Sequence, residues 1–362
     1  MSGPLECSII KFMKTIIEQI DIRQVNMDII RRAGDILKKG GLVAFPTETV
    51  YGLGADALNE EAAKKIYAAK GRPSDNPLIV HIADMDALDR IAGSIPDKAR
   101  IIADAFWPGP LTMIFEKTDE VPVGTTGGLD TVAVRMPDHE AARALIRAGG
   151  GYIAAPSANT SGRPSPTTAQ HVEEDLAGRI DMIVDGGSVE IGVESTILDM
   201  TVTPPMILRP GAVTRQMLKE QIGEVVVDQT LMDADSDKAP KAPGMKYRHY
   251  APKAELTVIE GELLLVTDEI NRLTEEKISR GFKVGIIATE ETVGRYVHGD
   301  VKCIGARDDE AEIASHLYGI LREFDDDRID YIYSESFGRE GIGNAVMNRL
   351  LKAAGHRVID VG

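Results

Sequence analysis

Two cations of this chain lie in a loop stiffened by proline, close to a glycine. The segment Lys70-Gly71-Arg72-Pro73 ends a predicted helix and leads towards His81. Arginine offers a bidentate fork of donors and lysine a point charge, so a pair two residues apart can bind one polyanion. Alternatively, both residues complement the negative end of the helix dipole. Both interpretations remain open on this segment alone.

Small hydroxyl and amide residues make up a second kind of candidate loop. After one predicted strand the chain reads PTETVYGLG at 46–54, and after another it reads APSANTSG at 155–162. Short polar side chains and glycines let backbone N–H groups approach a phosphate closely. Later segments of this kind are GVEST at 192–196 and RPG at 209–211. Each segment taken alone is also compatible with a tight turn.

Arg135 closes an apolar predicted strand in the segment VRMP. An arginine at the edge of a core needs an anionic partner, and either a bound anion or the neighbouring Asp138 fits that need. His81, His139 and His249 lie in or near the polar loops, although a lone histidine is more often structural. The chain lacks the GxxxxGKS/T, HExxH and GxSxG motifs, so a phosphate site must use another device. This inventory favours a site that orients a nucleotide, with catalysis by positioning and charge stabilisation.

Strand-like and helix-like segments alternate along most of the chain, which predicts the α/β class. GLVAF at 41–45 and PLIVHI at 77–82 read as strands, with the helix EEAAKKIYAAK at 60–70 between them. A stretch rich in Asp, Pro and Lys then separates residues 15–229 from residues 254–362, and it reads as a linker over 230–253. The last part carries five short strands with helical crossovers, which predicts a small parallel, doubly wound sheet.

Composition excludes several classes of protein. The formal net charge of -16 and the aromatic content of 5% argue against a dedicated nucleic-acid binder, which needs clustered cations. The two cysteines, Cys7 and Cys303, are too few for a disulfide framework or a four-ligand zinc site. No apolar run is long enough to span a bilayer. We therefore expect an enzyme of the reducing cytoplasm.

Seven segments resemble, in the same order, the YrdC-type L-threonylcarbamoyl-AMP synthases: PTETVYGLG, KGRPSDNPLIVHI, WPGPLTMI, VRMPDH, APSANTSGRPSPT, GVESTI and RPGAVT. PGMKYRHYAP, followed by a small α/β domain, resembles the longer, two-domain branch of that family. The resemblance implies a YrdC-like catalytic domain with a twisted mixed sheet at 15–229 and a Rossmann-like domain with five parallel strands at 254–362.

The resemblance also implies a reaction and a set of site residues. L-threonine, bicarbonate and ATP would give threonylcarbamoyl-AMP, pyrophosphate and water; when CO2 takes the place of bicarbonate, no water is released. Lys70 and Arg72 would be catalytic, neutralising charge on the departing phosphates. Nucleotide contacts are implied for Lys70, Arg72, Asn76, Thr131, Ser157, Asn159, Ser165 and Arg209. Contacts with threonine or its carbamate are implied for Thr49, His81, Arg135, the backbone at Ala155, and Ser195.

The cofactor and partners follow from the same resemblance. Mg²⁺ is expected to arrive with ATP, and no residue of the chain is assigned to it. The product would pass to a separate transferase that forms N6-threonylcarbamoyladenosine in tRNA, so the acidic chain need not bind nucleic acid itself. In the linker, Tyr247, His249 and Tyr250 are candidates for a gate over the site. The alternative is an ordered strap between the domains.

Three rival functions and one further loop complete the sequence interpretation. An RNA-binding protein, a carbamoyl-transfer enzyme of the hydrogenase-maturation type and a non-catalytic nucleotide sensor are the rivals. The net negative charge disfavours the RNA-binding protein. The lack of a cysteine-rich module disfavours the carbamoyl-transfer enzyme, and the full set of expected site residues disfavours the non-catalytic sensor. The loop SESFGREGIGN at 334–344 follows a strand and opens a helix, where either an anion site or a tight turn is expected.

Overall fold

The computed structural model describes residues 14–228 and 250–362. Its larger sheet has eleven strands. These strands are β1 (Ile16–Gln19), β2 (Val43–Phe45), β3 (Gly52–Asp56), β4 (Ile79–His81), β5 (Leu111–Glu116), β6 (Thr131–Arg135), β7 (Ile153–Ala154), β8 (Met182–Asp185), β9 (Thr196–Asp199), β10 (Met206–Arg209) and β11 (Val226–Val227). Their order in the sheet is β1-β8-β2-β3-β7-β4-β6-β5-β9-β10-β11.

Parallel and antiparallel pairs are mixed in this sheet, as predicted. β4 runs parallel to β6, whereas β2 and β3 form an antiparallel pair. The PTETVYGLG segment therefore connects two neighbouring strands of the sheet. The polar residues after β2 are held between these strands because β3 returns directly beside β2.

Helices cover both faces of the larger sheet. They are α1 (Met27–Lys38), α2 (Glu60–Lys70), α3 (Leu88–Ile91), α4 (Asp97–Phe106), α5 (Val123–Thr126), α6 (Glu140–Ala148), α7 (Ala169–Leu176) and α8 (Arg215–Ile222). Apolar residues of α1 and α6 form one buried cluster with β2 and β8. Apolar residues of α2, α4, α7 and α8 belong to the larger cluster on the other face. The sheet is thus buried on both sides, which fixes the loops at its strand ends.

Local signals in the sequence set both ends of α2. Asn59 caps its N-terminus by accepting hydrogen bonds from the backbone N–H groups of Glu61 and Ala62. Gly71 ends the helix in the left-handed conformation at φ 61°, where a side chain would be strained. The helix therefore stops between Lys70 and Arg72, and both cations are carried on its rigid C-terminal end.

The second sheet has five strands, all parallel, which confirms the prediction for the C-terminal part. It is built from β12 (Glu255–Glu260), β13 (Val284–Ala288), β14 (Asp300–Cys303), β15 (Tyr331–Glu335) and β16 (Val358–Asp360) in the order β14-β13-β15-β12-β16. Its helices are α9 (Leu263–Ser279), α10 (Glu310–Asp326) and α11 (Gly343–Ala354). α9 covers one face, whereas α10 and α11 pack together on the other.

The α10–α11 face packs against the loops of the larger sheet. Its apolar cluster includes Val50 from the segment after β2 and Val193 from the segment before β9. Both loops were singled out from the sequence, so the second domain lies against the candidate site. The predicted linker falls almost wholly on residues outside the described range, and the three domain boundaries stay predictions. Among the described residues, no helix is long and apolar enough to cross a membrane.

Candidate active site

A cavity lies where the polar loops of the larger sheet meet the second domain. It contains about 710 Å³ of space that protein atoms do not fill, and this volume includes open solvent. Its walls include most of the residues expected at the site: Lys70, Arg72, His81, Arg135, Ala155, Ser157, Asn159, Ser165, Ser195, Arg209 and Tyr250. Loops far apart in the sequence thus converge on one volume.

Lys70 and Arg72 form a cationic wall of the cavity. Lys70 is 3% exposed, and its Nζ donates to the backbone oxygens of Ser157 and Asn159. Arg72 donates through Nη2 to the backbone oxygen of Pro77 at 3.2 Å, and its buried Nε has no hydrogen-bond acceptor among the described residues. Burial, and then repulsion from Arg72, lower the pKa of Lys70 well below its usual range. A bound anion would stabilise the charged form of Lys70, because it would compensate for the loss of water and for the repulsion from Arg72.

The APSANTSG loop is held in a fixed shape by its own amide and hydroxyl groups. Ser157 Oγ donates to Asn159 Oδ1 at 2.6 Å, and Asn159 Nδ2 donates to the backbone oxygens of Thr160 at 2.8 Å and Arg163 at 3.0 Å. The backbone N–H of Ser161 donates to the carbonyl of Lys70 at 2.9 Å. The loop and the end of α2 are therefore one unit, and Lys70 cannot move independently of Ser157 and Asn159.

Arg135 finds a partner that the sequence did not indicate. Its Nη2 lies 2.7 Å from Glu48 Oε2, and its Nη1 donates to Thr49 Oγ1 at 2.9 Å. Asp138, one of the two partners expected, instead donates its backbone N–H to Glu48 Oε1 at 3.1 Å. Arg135 and Glu48 are 4% and 5% exposed, so the pair is desolvated. A buried pair of this kind holds its geometry because neither charge can be left alone.

His81 is an uncharged ring at neutral pH. It is 3% exposed, its Nδ1 lies 3.2 Å from the carbonyl oxygen of Ile79, and Phe45 packs edge-on at 6.3 Å. Burial, and then the charge of Arg135, lower the pKa of His81 to about 3. With Nδ1–H donating to that carbonyl, Nε2 is left as an acceptor for a hydroxyl or N–H of a ligand.

The depressed pKa of His81 predicts an acid-sensitive fold. Below pH 6.5 the unfolded chain binds a proton at this residue and the folded chain does not. The contribution of the neutral His81 ring to the free energy of unfolding is therefore complete above that pH, and it is lost as the pH falls towards about 3. Relative to His81→Gln, the wild type should lose about 2 kcal/mol of unfolding free energy between pH 6.5 and pH 5, measured by urea unfolding. If the difference in unfolding free energy between the wild type and His81→Gln stays constant with pH, this prediction is wrong.

Ser195 and Arg209 contact each other on the cavity wall. Arg209 Nη2 donates to Ser195 Oγ at 3.2 Å, and its Nε donates to the Ser195 carbonyl at 3.0 Å. Ser195 Oγ also lies 2.8 Å from Thr112 Oγ1 on β5. Ser195 thus sits between the Arg209 cation and the buried β5–β9 pair, where a substrate oxygen meeting a phosphate would be within reach of both donors.

Three of the expected residues do not form the cavity wall. Thr49 is buried behind it as the acceptor of Arg135, and Asn76 lies beside Arg72, whose Nη2 donates to its carbonyl at 3.4 Å. Thr131 begins β6, and its expected contact stays a prediction. Tyr250 lines the cavity, whereas Tyr247 and His249 lie outside the described residues.

Sequence reasoning missed several residues of the wall, among them Thr47, Arg163 and Glu194. Each lies in or next to one of the polar loops named above. The composition of those loops therefore predicted where the site lies, but not which of these side chains line it. Glu194 lies in the GVEST segment, and nothing in that segment indicates a role for its carboxylate. In the structure its carboxylate lies among cations and hydroxyls, which a linear reading could not show.

The glycine-rich loop at 334–344 is filled by the chain itself. The carboxylate of Glu310 accepts from the backbone N–H of Gly343 at 2.8 Å and lies where side chains at Gly338 and Gly341 would be. This contact favours the turn over the anion site. In addition, residues 14–228 and 250–362 contain no cluster of three or more His, Cys, Asp or Glu that could hold a metal ion.

The mixed sheet, the parallel second sheet and the buried cationic cavity define an α/β protein built on two sheets. Residues 35–211 match the family described as "Telomere recombination", and residues 213–355 match "Threonylcarbamoyl-AMP synthase, C-terminal domain". The chain belongs to the threonylcarbamoyl-AMP synthase family.

Individual relatives agree over nearly the whole chain. Threonylcarbamoyl-AMP synthase from Bacillus subtilis is 49% identical, covering 96% of this chain and 99% of the relative. The enzyme of the same name from Pyrococcus abyssi is 50% identical, covering 92% and 96%. The crystal structure of P. abyssi Sua5 complexed with L-threonine superimposes with a TM-score of 0.91 at 48% identity, covering 96% of this chain and all of that one.

Proposed function

We propose that the cavity joins L-threonine, bicarbonate or CO2 and ATP into threonylcarbamoyl-AMP, with one end for the nucleotide and the other for the amino acid. One observation carries the proposal: a single cavity is lined by the cations Lys70, Arg72, Arg135 and Arg209 and by the neutral ring of His81, and Glu48 pairs with Arg135 beside it. Several buried cations around one cavity suit a reaction between a polyanionic nucleotide and a zwitterionic amino acid.

ATP binds at the Lys70–Arg72 end in this proposal. The two cations face the phosphates that leave as pyrophosphate, and Ser157 and Asn159 hold the loop that carries Lys70. Because Lys70 is buried among carbonyl oxygens, an arriving phosphate meets a cation already oriented towards the cavity. The remaining nucleotide contacts are assigned to Asn76, Thr131, Ser165 and Arg209.

L-threonine binds at the Arg135 end. Guanidinium and carboxylate groups match bidentately, so Arg135 binds the amino-acid carboxylate. Neutral His81 accepts a hydrogen bond at Nε2 from the hydroxyl or the carbamate N–H, whereas a protonated ring would repel Arg135. Thr49 orients Arg135, and the backbone at Ala155 together with Ser195 contacts the carbamate.

The chemistry needs no protein nucleophile. The threonine amine adds to bicarbonate or CO2 and gives a carbamate, with release of one water when bicarbonate is used. A carbamate oxygen then attacks the α-phosphorus of ATP, the α–β bridging bond breaks, and pyrophosphate leaves. Lys70 and Arg72 stabilise the negative charge that grows on the leaving group, and Arg209 stabilises the α-phosphoryl oxygens.

Mg²⁺ fits this site as a partner of ATP rather than of the protein. Mg²⁺ keeps several waters and binds mainly through substrate phosphates, and the described residues offer no cage of acidic ligands. When bound, it supplies further neutralisation of the pyrophosphate. The chain's own contribution remains the orientation of the phosphates by Lys70 and Arg72.

The remaining assignments concern the linker, the partner and the compartment. Tyr250 lies on the cavity wall with its ring 5.4 Å from that of Tyr318, which suits a cover over the labile carbamate. The product passes to a separate transferase that modifies tRNA, in the reducing cytoplasm. Tyr247 and His249, the other two candidates for a gate, lie outside the described residues.

The proposal is tested by pyrophosphate release from ATP and Mg²⁺, with L-threonine and bicarbonate each present or omitted. We expect release only when both are present, and equal amounts of pyrophosphate and of threonine converted into an AMP adduct. Phosphate in place of pyrophosphate would place the attack at the γ-phosphorus and overturn the mechanism. Release without threonine would overturn the assignment of the Arg135 end.

A further inference from the structure

Two side chains of the second domain reach a residue of the cavity wall. Tyr318 of α10 and Arg349 of α11 are both fully buried. Tyr318 OH lies 3.1 Å and 3.0 Å from the two carboxylate oxygens of Glu194, and Arg349 Nε donates to Glu194 Oε2 at 3.0 Å. Glu194 precedes Ser195 directly and lines the cavity.

Arg349 also joins two backbone segments of the catalytic domain. Its Nη1 donates to the carbonyl of Pro210 at 2.6 Å, and its Nη2 donates to the carbonyl of Glu194 at 3.2 Å. Pro210 follows Arg209, so the two segments that Arg349 holds are those that carry Ser195 and Arg209. One guanidinium from the second domain therefore holds together the backbone segments that carry Ser195 and Arg209, two residues of the cavity wall.

The cation that contributes most to balancing the charge of Glu194 comes from the second domain. Burial on its own raises the pKa of Glu194, but the charges of Arg349 and Arg209 and the Ser165 hydroxyl, which donates at 2.5 Å, bring the pKa down to about 2. The carboxylate is therefore ionised and holds Ser165, an expected nucleotide contact. Without Arg349, Glu194 would be a buried anion with less compensation.

Close backbone packing accompanies these contacts. Gly192 has φ +80°, and a Cβ built there would overlap the backbone of Ser315 in α10. The ring of Tyr250 stacks on Tyr318 at 5.4 Å, and the guanidinium of Arg349 lies 5.9 Å from the Tyr250 ring. The wall of the cavity and the α10–α11 face thus form one packed unit.

We propose that Arg349 and Tyr318 are positioning residues for the nucleotide end of the cavity: the second domain holds Ser165 through Glu194, and holds the Arg209–Pro210 turn directly through Arg349, in the arrangement that binds ATP. This inference rests on the proposed assignment of ATP to that end. It gives the C-terminal domain a role in catalysis through side chains that do not themselves touch substrate.

The test compares Arg349→Met, Arg349→Lys and Tyr318→Phe with the wild type. Arg349→Met should raise the KM for ATP about 10- to 100-fold, because a charge-assisted contact is lost. The KM for L-threonine should rise much less than the KM for ATP, because Ser195 is the only proposed threonine contact next to Glu194, whereas Arg135 keeps its own partners. Arg349→Lys should restore part of the effect. Tyr318→Phe, which removes only a hydroxyl, should raise the KM for ATP about fivefold.

A double-substitution cycle separates positioning from general stability. If part of the Arg349 effect acts through the Glu194 carboxylate, then Arg349→Met should raise the KM for ATP less in a Glu194→Gln background than in the wild type, and the remaining effect reflects the direct contact with Pro210. Arg307→Met is the matched control: it removes an ion pair with the buried Glu335 inside the second domain, away from the cavity. It should lower the melting temperature and leave the KM for ATP unchanged.

Two results would overturn the inference. One is an unchanged KM for ATP in both Tyr318→Phe and whichever Arg349 variant folds; the other is an Arg349 effect of full size in the Glu194→Gln background. A failure of the underlying ATP assignment has a different signature, because Lys70→Met would then bind ATP as tightly as the wild type. Equilibrium binding of ATP to that variant is therefore measured first.

Discussion

Replacing Lys70 by methionine is expected to lower kcat/KM for ATP by about 10²- to 10³-fold, the largest loss of activity that the structure predicts for a single substitution. The ammonium group of Lys70 is buried beside Arg72 and aimed by the carbonyls of Ser157 and Asn159. In such a desolvated site a cation interacts strongly with developing negative charge, because water does not screen it. The effect is measured as pyrophosphate release at varied ATP concentration, together with the equilibrium dissociation constant for ATP.

Lys64→Met is the matched control for this prediction. Lys64 lies on the same helix, is 55% exposed at its side chain, and pairs with Glu60 and Glu61 on the surface. Its replacement should change kcat/KM for ATP by less than about twofold, since surface pairs contribute little. If Lys70→Met stays within a few-fold of the wild type while its melting temperature shows a folded enzyme, the phosphate assignment is wrong.

Arg135→Met is expected to have the largest effect on stability. It leaves the Glu48 carboxylate buried without its cation, which should lower the unfolding free energy by about 3–5 kcal/mol. The double variant Glu48→Gln/Arg135→Met should recover most of that loss, because no uncompensated charge remains. Urea unfolding of the three proteins measures both steps. Arg100→Met, which breaks an exposed contact with Asp89, should change stability by less than about 1 kcal/mol.

The same double variant tests the threonine end of the site. Although its fold is restored, it lacks the guanidinium that binds the amino-acid carboxylate, so the KM for L-threonine should rise about 10- to 100-fold or more. The KM for ATP should stay close to that of the wild type. Normal threonine binding by the double variant would mean that Arg135 serves only as the partner of Glu48.

Much of the local structure follows from sequence alone. The five strands of the second sheet are predicted by short apolar runs between turn residues, and the sheet is parallel as expected. The end of α2 follows from Gly71, and the position of Lys70 and Arg72 follows with it. These features depend on periodicity and turn chemistry, which act over a few residues and are visible in a linear reading.

Long-range pairing could not be read in that way. The partner of Arg135 proved to be Glu48, although the sequence suggested a ligand or Asp138. Thr49 and Asn76 stand behind the cavity wall, because strand pairing and the turn after α2 decide which way each side chain faces. A charge pair between distant segments becomes necessary only when both are removed from water, and burial is a property of the whole packing.

The sequence by itself determined that this is a two-sheet α/β protein of the threonylcarbamoyl-AMP synthase type, with cations and hydroxyls in ordered loops. Only the tertiary structure decided that Glu194 belongs to the cavity and is held by Arg349 and Tyr318 from the second domain. The physical reason is the range of the forces involved. Local propensity fixes helices, strands and turns, whereas the balance of buried charge is set by groups that meet only when the two sheets pack together.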